Sequence, residues 1–310
     1  MPDHARVRGA PSAPLQGAWN RFRANRPAWI AAMALVGMTL FVVTSGGFLA
    51  WGPNVLSESL YQPPSARHWL GTDAGGRDVL ARVCAGARVS LVIGFAGALV
   101  SLVIGVTWGS IAGFVGGRID GLLMRTVDVL YSMPSIVVVI VLVSAFRDPV
   151  RALLATVVGP SAEGGAGLVF LVIGLGAVSW LTMARMVRAQ VMSVKGRPFV
   201  EAARALGAGP GHILVRHILP NTAGVVWVYL MLTVPAVVLG ESFLSYLGLG
   251  IQPPQASLGS LIADGADQIN PIHSQVWLLL GPGGMLVGFL IALSFVGDGL
   301  RDALDPRRGG

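Results

Sequence analysis

The chain has 310 residues, 54% of them hydrophobic and only 12% charged, with a formal net charge of +7. Ordinary soluble domains carry about 25% charged residues, so the composition excludes a typical soluble fold and points to a membrane protein. One cysteine, Cys84, excludes an internal disulfide and any cysteine-based zinc ligand set.

Residues 1–27 are polar and basic and read as a disordered cytoplasmic tail; 28–310 read as the membrane domain. Six charge-free apolar stretches follow: Ala28–Ala50, Val89–Val115, Val129–Phe146, Leu168–Ala184, Thr222–Gly240 and Gln275–Val296. Each meets or nearly meets the roughly 17–25 residues that a helix needs to cross hydrocarbon. The fold class expected is therefore an all-α membrane protein with six transmembrane helices. The first stretch exceeds the about 7–15 residues of a signal-peptide core, and no small-residue cleavage site follows, so it reads as a retained helix.

Between the first two spans lies a segment, 51–88, in which Pro63-Pro64 forbids a continuous helix. Asp73-Ala-Gly-Gly76 reads as a turn, and Asp78 as the cap of a short helix through Ala81–Ala87. A seventh apolar run, Ala152–Val158, is too short to span; between Pro149 and Gly159-Pro160 it reads as an external or re-entrant segment. A further segment, 249–274, opens with Pro253-Pro254 and carries Asp264 and Asp267.

Charge placement orients the chain. The N-terminal tail holds five of the 22 Lys and Arg residues, the link between spans two and three two, that between spans four and five six, and the C-terminus three. These sixteen share one side of a six-span protein and leave six on the other. The excess of basic residues marks the cytoplasmic side, so both termini are expected inside, with loops 51–88 and 249–274 outside. The same distribution accounts for a pI of about 10.7 without nucleic acid, since no stacking aromatics are interleaved with the charges.

The polar stretch 185–220 on the cytoplasmic side is the most distinctive. Pro198 suits a first helical turn, Glu201 is favoured near that positive helix end, and Gly207 is a ready stop. Ala202, Ala203 and Ala205 keep this helix slim. A second short helix is expected from about His212 until Pro220 ends it. From the pattern alone, the first helix either lies on the membrane surface or docks into a soluble partner.

Glu201-Ala202-Ala203-Arg204, Gly207 and Leu219-Pro220 resemble the EAA signature of binding-protein-dependent ABC-importer permeases. Three more stretches are similar to the peptide/nickel branch, and there to the C-type subunit of dipeptide and oligopeptide permeases. They are Gly71-Thr72-Asp73…Gly76-Arg77-Asp78 with Gly86-Ala87-Arg88 after it, Glu241-Ser-Phe-Leu-Ser245-Tyr-Leu-Gly248, and Gly297-Asp298-Gly299-Leu300-Arg301-Asp302. Ala256-Ser257-Leu258-Gly259 departs from the Pro-Ser-Trp-Gly of many relatives, and the Arg147–Gly167 loop is longer than expected. The resemblance implies a type I ABC importer permease fold in a bacterial inner membrane. Its partners would be a second, homologous permease subunit, two cytoplasmic ATPase subunits that bind the ATP and Mg, and an extracytoplasmic binding protein. Peptides would be the cargo, with a nickel chelate or glutathione-like solute as alternatives.

The chain itself offers no nucleotide site, because its only lysine, Lys195, is followed by Gly196 and no P-loop surrounds it. The five histidines are read in separate loops, so neither a catalytic constellation nor a metal site is expected. Glu241 reads either as a pathway residue, as intramembrane carboxylates often are, or as an interfacial carboxylate capping the Ser242–Leu247 segment; Ser245 is a second pathway or gate candidate. A secondary transporter would instead show broken helices at matching positions in two halves, and no internal repeat is visible.

Overall fold

A backbone in hydrocarbon finds no water for its N–H and C=O groups, and an α-helix pairs them within the segment. A computed structural model describes residues 14–158, 163–269 and 274–304. In chain order its helices are α1 (Pro14–Ala24), α2 (Arg26–Phe48), α3 (Val79–Val115), α4 (Gly117–Ser132), α5 (Ser135–Val158), α6 (Glu163–Lys195), α7 (Pro198–Ala205), α8 (Pro210–Tyr246), α9 (Leu258–Asp267) and α10 (Trp277–Leu304). Five of them, α2, α3, α6, α8 and α10, are long and apolar enough to cross a membrane. α4 and the start of α5, bent by 90° across a short gap, meet the same length and hydropathy test only as a pair, which counts as a sixth candidate span if the two are taken together. An isolated bridge between Thr72 and Asp78 is the β structure among the described residues.

The centre is α3 packed along α6 and α8, with α2 and α10 on one flank and α5 against α6 on the other. Small residues make the α3–α6 contact close. Gly97, Ser101, Gly105, Gly109 and Gly113 recur every fourth residue of α3 and are all buried. A Cβ on Gly105 would lie 2.6 Å from Met183 Cβ, and one on Gly113 2.7 Å from Arg188 O. Such spacing lets two backbones approach where no hydrophobic drive operates between helices in lipid.

Several expectations are corrected. The tail is not disordered throughout: α1 is a helix because Ala18 and Phe22, four residues apart, share a face. Both are buried, Phe22 beside Ala28 and Ala303, and Arg21 Nε donates to Ala303 O at 2.9 Å. Residues 1–13 lie outside the described part. Asp78 does cap, accepting from Ala81 N at 2.8 Å, but the helix it starts runs unbroken into the second span. Arg88 interrupts nothing, because its guanidinium is satisfied by α2, donating to Val42 O at 2.7 Å and to Ser45 Oγ.

The third apolar stretch is not one helix. Pro134 pushes Met133 into the extended region (φ −89°, ψ 140°), and the chain turns there. The seventh run, Ala152–Val158, is no separate segment: it continues α5, which carries Pro149 in its interior. One proline removes a single helical bond, and no second breaker follows before Gly159-Pro160. Residues 159–162, part of the long Arg147–Gly167 loop, lie outside the described part, as do 270–273. Nor does Pro220 end a helix. Ile213–Ile218 form a π segment continuous with the helix on both sides, and Pro220 falls in the first turn of regular α-helix after it. There its missing N–H and its ring meet a widened backbone rather than a tight turn.

Candidate functional site: a cleft at the broken span and the loop beside α7

The loop 185–220 builds α7 by local chemistry. Pro198 occupies the first turn after an extended Arg197, and Glu201 lies in that turn with Arg204 in the last. At the other end Gly207 takes φ +84°, its N–H bonds Arg204 O at 3.0 Å, and Ala208 N–H reaches back to Ala203 O at 3.0 Å. This 6→1 and 5→2 pair is the Schellman stop, and it needs a residue free to be left-handed. Val200 and Ala203 are buried against the protein, while Glu201, Ala202, Arg204 and Leu206 face outward, Leu206 with 89% of its surface exposed. Leu219 and Pro220 open the regular part of α8, whose π segment contacts α7.

Where α4 breaks from α5, a cleft of about 640 Å³ opens against α6 and α8. Its wall includes Tyr131, Ser135, Ser179, Thr182, Tyr229 and Thr233, and no Asp, Glu, Lys or Arg. The lining residues Leu175–Thr182 and Tyr229–Gly240 fall near the middle of their spans, which places the cleft at mid-depth. Tyr131 Oη and Thr182 Oγ1 share a hydrogen bond at 3.0 Å. Ser179 and Thr233 donate to carbonyls of their own helices at 2.8 and 2.7 Å, which leaves their oxygen lone pairs free to accept. Beyond the cleft, α4 is tied to α6 by ion pairs, Arg188 with Asp120 and Arg185 with Asp128. The Arg185 guanidinium also lies 4.2 Å from the Tyr131 ring centroid.

Glu241 is elsewhere. It lies inside the continuous Leu219–Tyr246 stretch of α8, fully buried, so it caps no helix. Oε2 accepts from Ser90 Oγ on α3 at 2.8 Å, and Oε1 from Ser245 Oγ at 2.7 Å. Ser245 Oγ in turn accepts from Ile251 N at 3.3 Å, and Ser90 Oγ from Leu258 N at 3.2 Å. The carboxylate thus joins α3, α8 and the chain leading into α9. Neither Glu241 nor Ser245 lines the cleft.

The motif residues of the loop between α2 and α3 form a folded knot. Thr72 Oγ1 accepts from Gln62 N at 2.8 Å and donates to Ser59 O, and Asp78 accepts from His68 Nδ1 at 2.8 Å while capping α3. Gly71 (φ +74°) and Gly76 (φ +68°) have backbone oxygens, Gln62 O and Ser57 O, where a Cβ would sit. Asp73 accepts from Gly75 N and Arg77 N at 2.8 and 3.0 Å and pairs with Arg77 and Arg82. Burial pushes its carboxyl upward, but those two amides and the two guanidiniums outweigh it and hold Asp73 below the usual carboxylate range. Across a cavity of about 230 Å³, Asp264 of α9 shows the opposite balance, raised by burial despite Arg82 and Arg77.

Two family models match the chain. The one described as the N-terminal TM domain of oligopeptide transport permease C matches residues 13–64, and the binding-protein-dependent transport system inner membrane component matches 105–310. The chain belongs to this family. It is 42% identical over 295 residues to the oligopeptide transport system permease protein OppC of Escherichia coli K12, covering 94% of this chain and 91% of that protein. Against the dipeptide transport system permease protein DppC of Bacillus subtilis it is 40% identical, covering 94% and 85%. A chain of the MetNI methionine ABC transporter in an inward-facing conformation superimposes with a TM-score of 0.52 at 21% identity, covering 72% of this chain and 96% of that one. The fold is thus that of an ABC importer permease, and the protein is a multi-pass membrane protein. Reasoning from the sequence missed Tyr131, Thr182, Tyr229 and Thr233; Pro134 within the third apolar stretch was the available signal.

Proposed function

We propose that this permease subunit carries peptides across a bacterial cytoplasmic membrane and that the cleft at the α4–α5 break is its share of the pathway. The observation that carries the reading is the break itself. Irregular backbone at mid-membrane depth is tolerated only where protein buries it or a water-filled cavity solvates it, and here it borders a cleft of about 640 Å³. Hydroxyls that both donate and accept, with no fixed charge, match the amide groups that every peptide shares and are indifferent to side-chain charge. The peptide cargo follows the names of the OppC and DppC relatives.

ATP and Mg are held by two cytoplasmic ATPase subunits; a second permease subunit closes the pathway, and an extracytoplasmic binding protein delivers the peptide. Glu201, Ala202, Arg204 and Leu206, on the outward face of α7, receive the ATPase. Gly207 ends the helix so that it moves as a rigid piece, and Leu219 and Pro220 pass the motion to α8. Both termini lie inside. This last point is tested in a Cys84→Ala background: Ala66→Cys should react with an impermeant maleimide in spheroplasts, and Ser193→Cys only after lysis.

The central test is uptake of a labelled peptide by vesicles holding the assembled transporter and its binding protein. Tyr131→Phe with Thr182→Val removes two cleft hydroxyls at nearly constant volume and should cut peptide uptake about tenfold or more while ATPase co-purification is kept. Unchanged uptake would place the pathway elsewhere.

A further inference from the structure

The π segment of α8 brings together two residues that a regular helix would separate. In an α-helix, at about 100° per residue, His212 and His217 would point about 140° apart around the axis. The i→i+5 register, shown by Leu219 N–H bonding Leu214 O, returns residues five apart to nearly the same face. The two rings accordingly meet edge to face, with centroids 5.7 Å apart and planes at 60°. His212 is exposed and His217 half-buried. Among the described residues neither ring takes part in a hydrogen bond, and the bond that Asn221 makes at His217 uses the backbone carbonyl.

Paired neutral imidazoles open to solvent are ligands for borderline divalent metals, zinc, nickel and copper. Zinc–nitrogen bonds of about 2.0–2.1 Å in a tetrahedral site set the two donor atoms about 3.3 Å apart. Rings whose centres are 5.7 Å apart reach that separation by turning about their side-chain torsions. We propose that His212 and His217 form a two-ligand site for a divalent transition metal, with water completing the coordination. Neither residue lines the cleft, so the metal is a ligand of the loop and not cargo. Bridging the rings holds the π register, and with it the joint between the stop of α7 at Gly207 and the start of α8.

The test uses the transporter purified in detergent through a histidine-free tag, titrated with Zn²⁺ against a chromophoric chelator. The wild type should bind one equivalent more than His212→Ala or His217→Ala, or bind it at least tenfold more tightly. Excess Mg²⁺ should not compete, because it prefers oxygen ligands. With one equivalent of Cu²⁺, the wild-type paramagnetic resonance spectrum should show coupling to two imidazole nitrogens, and each single variant coupling to at most one. Equal binding in wild type and the alanine variants, or copper coupling to two imidazole nitrogens that survives in either of them, overturns the proposal.

Discussion

Gly109 offers the sharpest test of how α3 and α6 are held together. A Cβ there would lie 2.4 Å from Ala184 O and 3.0 Å from both Arg188 N and Val187 Cβ. Carbon contacts are comfortable at about 3.5–4.0 Å, so Gly109→Ala requires the helices to part by about 1 Å. The obstacle is a backbone carbonyl of α6, which cannot rotate aside as a side-chain end can. Overpacking of this kind costs about 1–3 kcal/mol, and a rigid partner puts it at the upper end. Alanine recovers about 1 kcal/mol through its better helix propensity, which leaves a net loss of about 2 kcal/mol. Gly121 in α4 is the matched control, because a Cβ there meets nothing within 4 Å. Gly121→Ala should keep the propensity gain alone, so the two variants should differ by about 3 kcal/mol. Cys84 is a fully buried free thiol, so its reaction with a thiol-activated dye during heating in detergent reports unfolding without added labels. Gly109→Ala should expose it several degrees below wild type and Gly121→Ala at or above. Equal melting of the two would mean that the helices do not approach as closely as argued.

Three further outcomes are expected. Glu201→Lys puts a cation in the first turn of α7, a loss of only about 0.3–1 kcal/mol for the helix, and Gly207→Pro forbids the left-handed stop; both should leave the protein in the membrane yet lose co-purification of the ATPase subunits, and full retention would make the loop a mere connector. Glu241→Leu should strand the hydroxyls of Ser90 and Ser245, each at about 1–3 kcal/mol, and lower the melting temperature, whereas Glu241→Gln keeps shape and hydrogen bonding and should lose about 1 kcal/mol; equal losses would remove the carboxylate from the joint it makes. Because Asp73 is held below its ordinary value of about 3.9, it stabilises the loop between α2 and α3 above that pH and the effect is lost as pH falls through the lower, folded value; the protection of amides across 57–78, taken relative to intrinsic exchange at each pH, should therefore fall on acidification below about pH 4 in wild type, and a low, pH-independent protection is expected for Asp73→Asn.

Much of the architecture was legible because its causes are local. Apolar runs of sufficient length become helices since lipid leaves the backbone no alternative, and the stop at Gly207, the cap at Asp78 and the start at Pro198 each depend on one residue and its near neighbours. The same local reading went astray wherever a distant group supplied what the local chain lacked. Arg88 looked like a span boundary, yet carbonyl and hydroxyl groups of α2 satisfy it inside the bundle. Glu241 looked open to an interfacial, capping place, but it lies inside a continuous helix and accepts from the hydroxyl of Ser90, 151 residues away. Pro134, inside a stretch read as one span, turns the chain, and only the packing of α6 and α8 around it brings Tyr131, Thr182, Tyr229 and Thr233 to one cleft. His212 and His217 meet because a stretch of six residues adopts π rather than α register. Hydrogen-bond partners for buried polar atoms must be found somewhere in the molecule, and composition and periodicity describe only how each segment treats its own backbone. Which distant side chain answers a buried charge, and which helices face one another across a gap, is settled by how the whole chain packs.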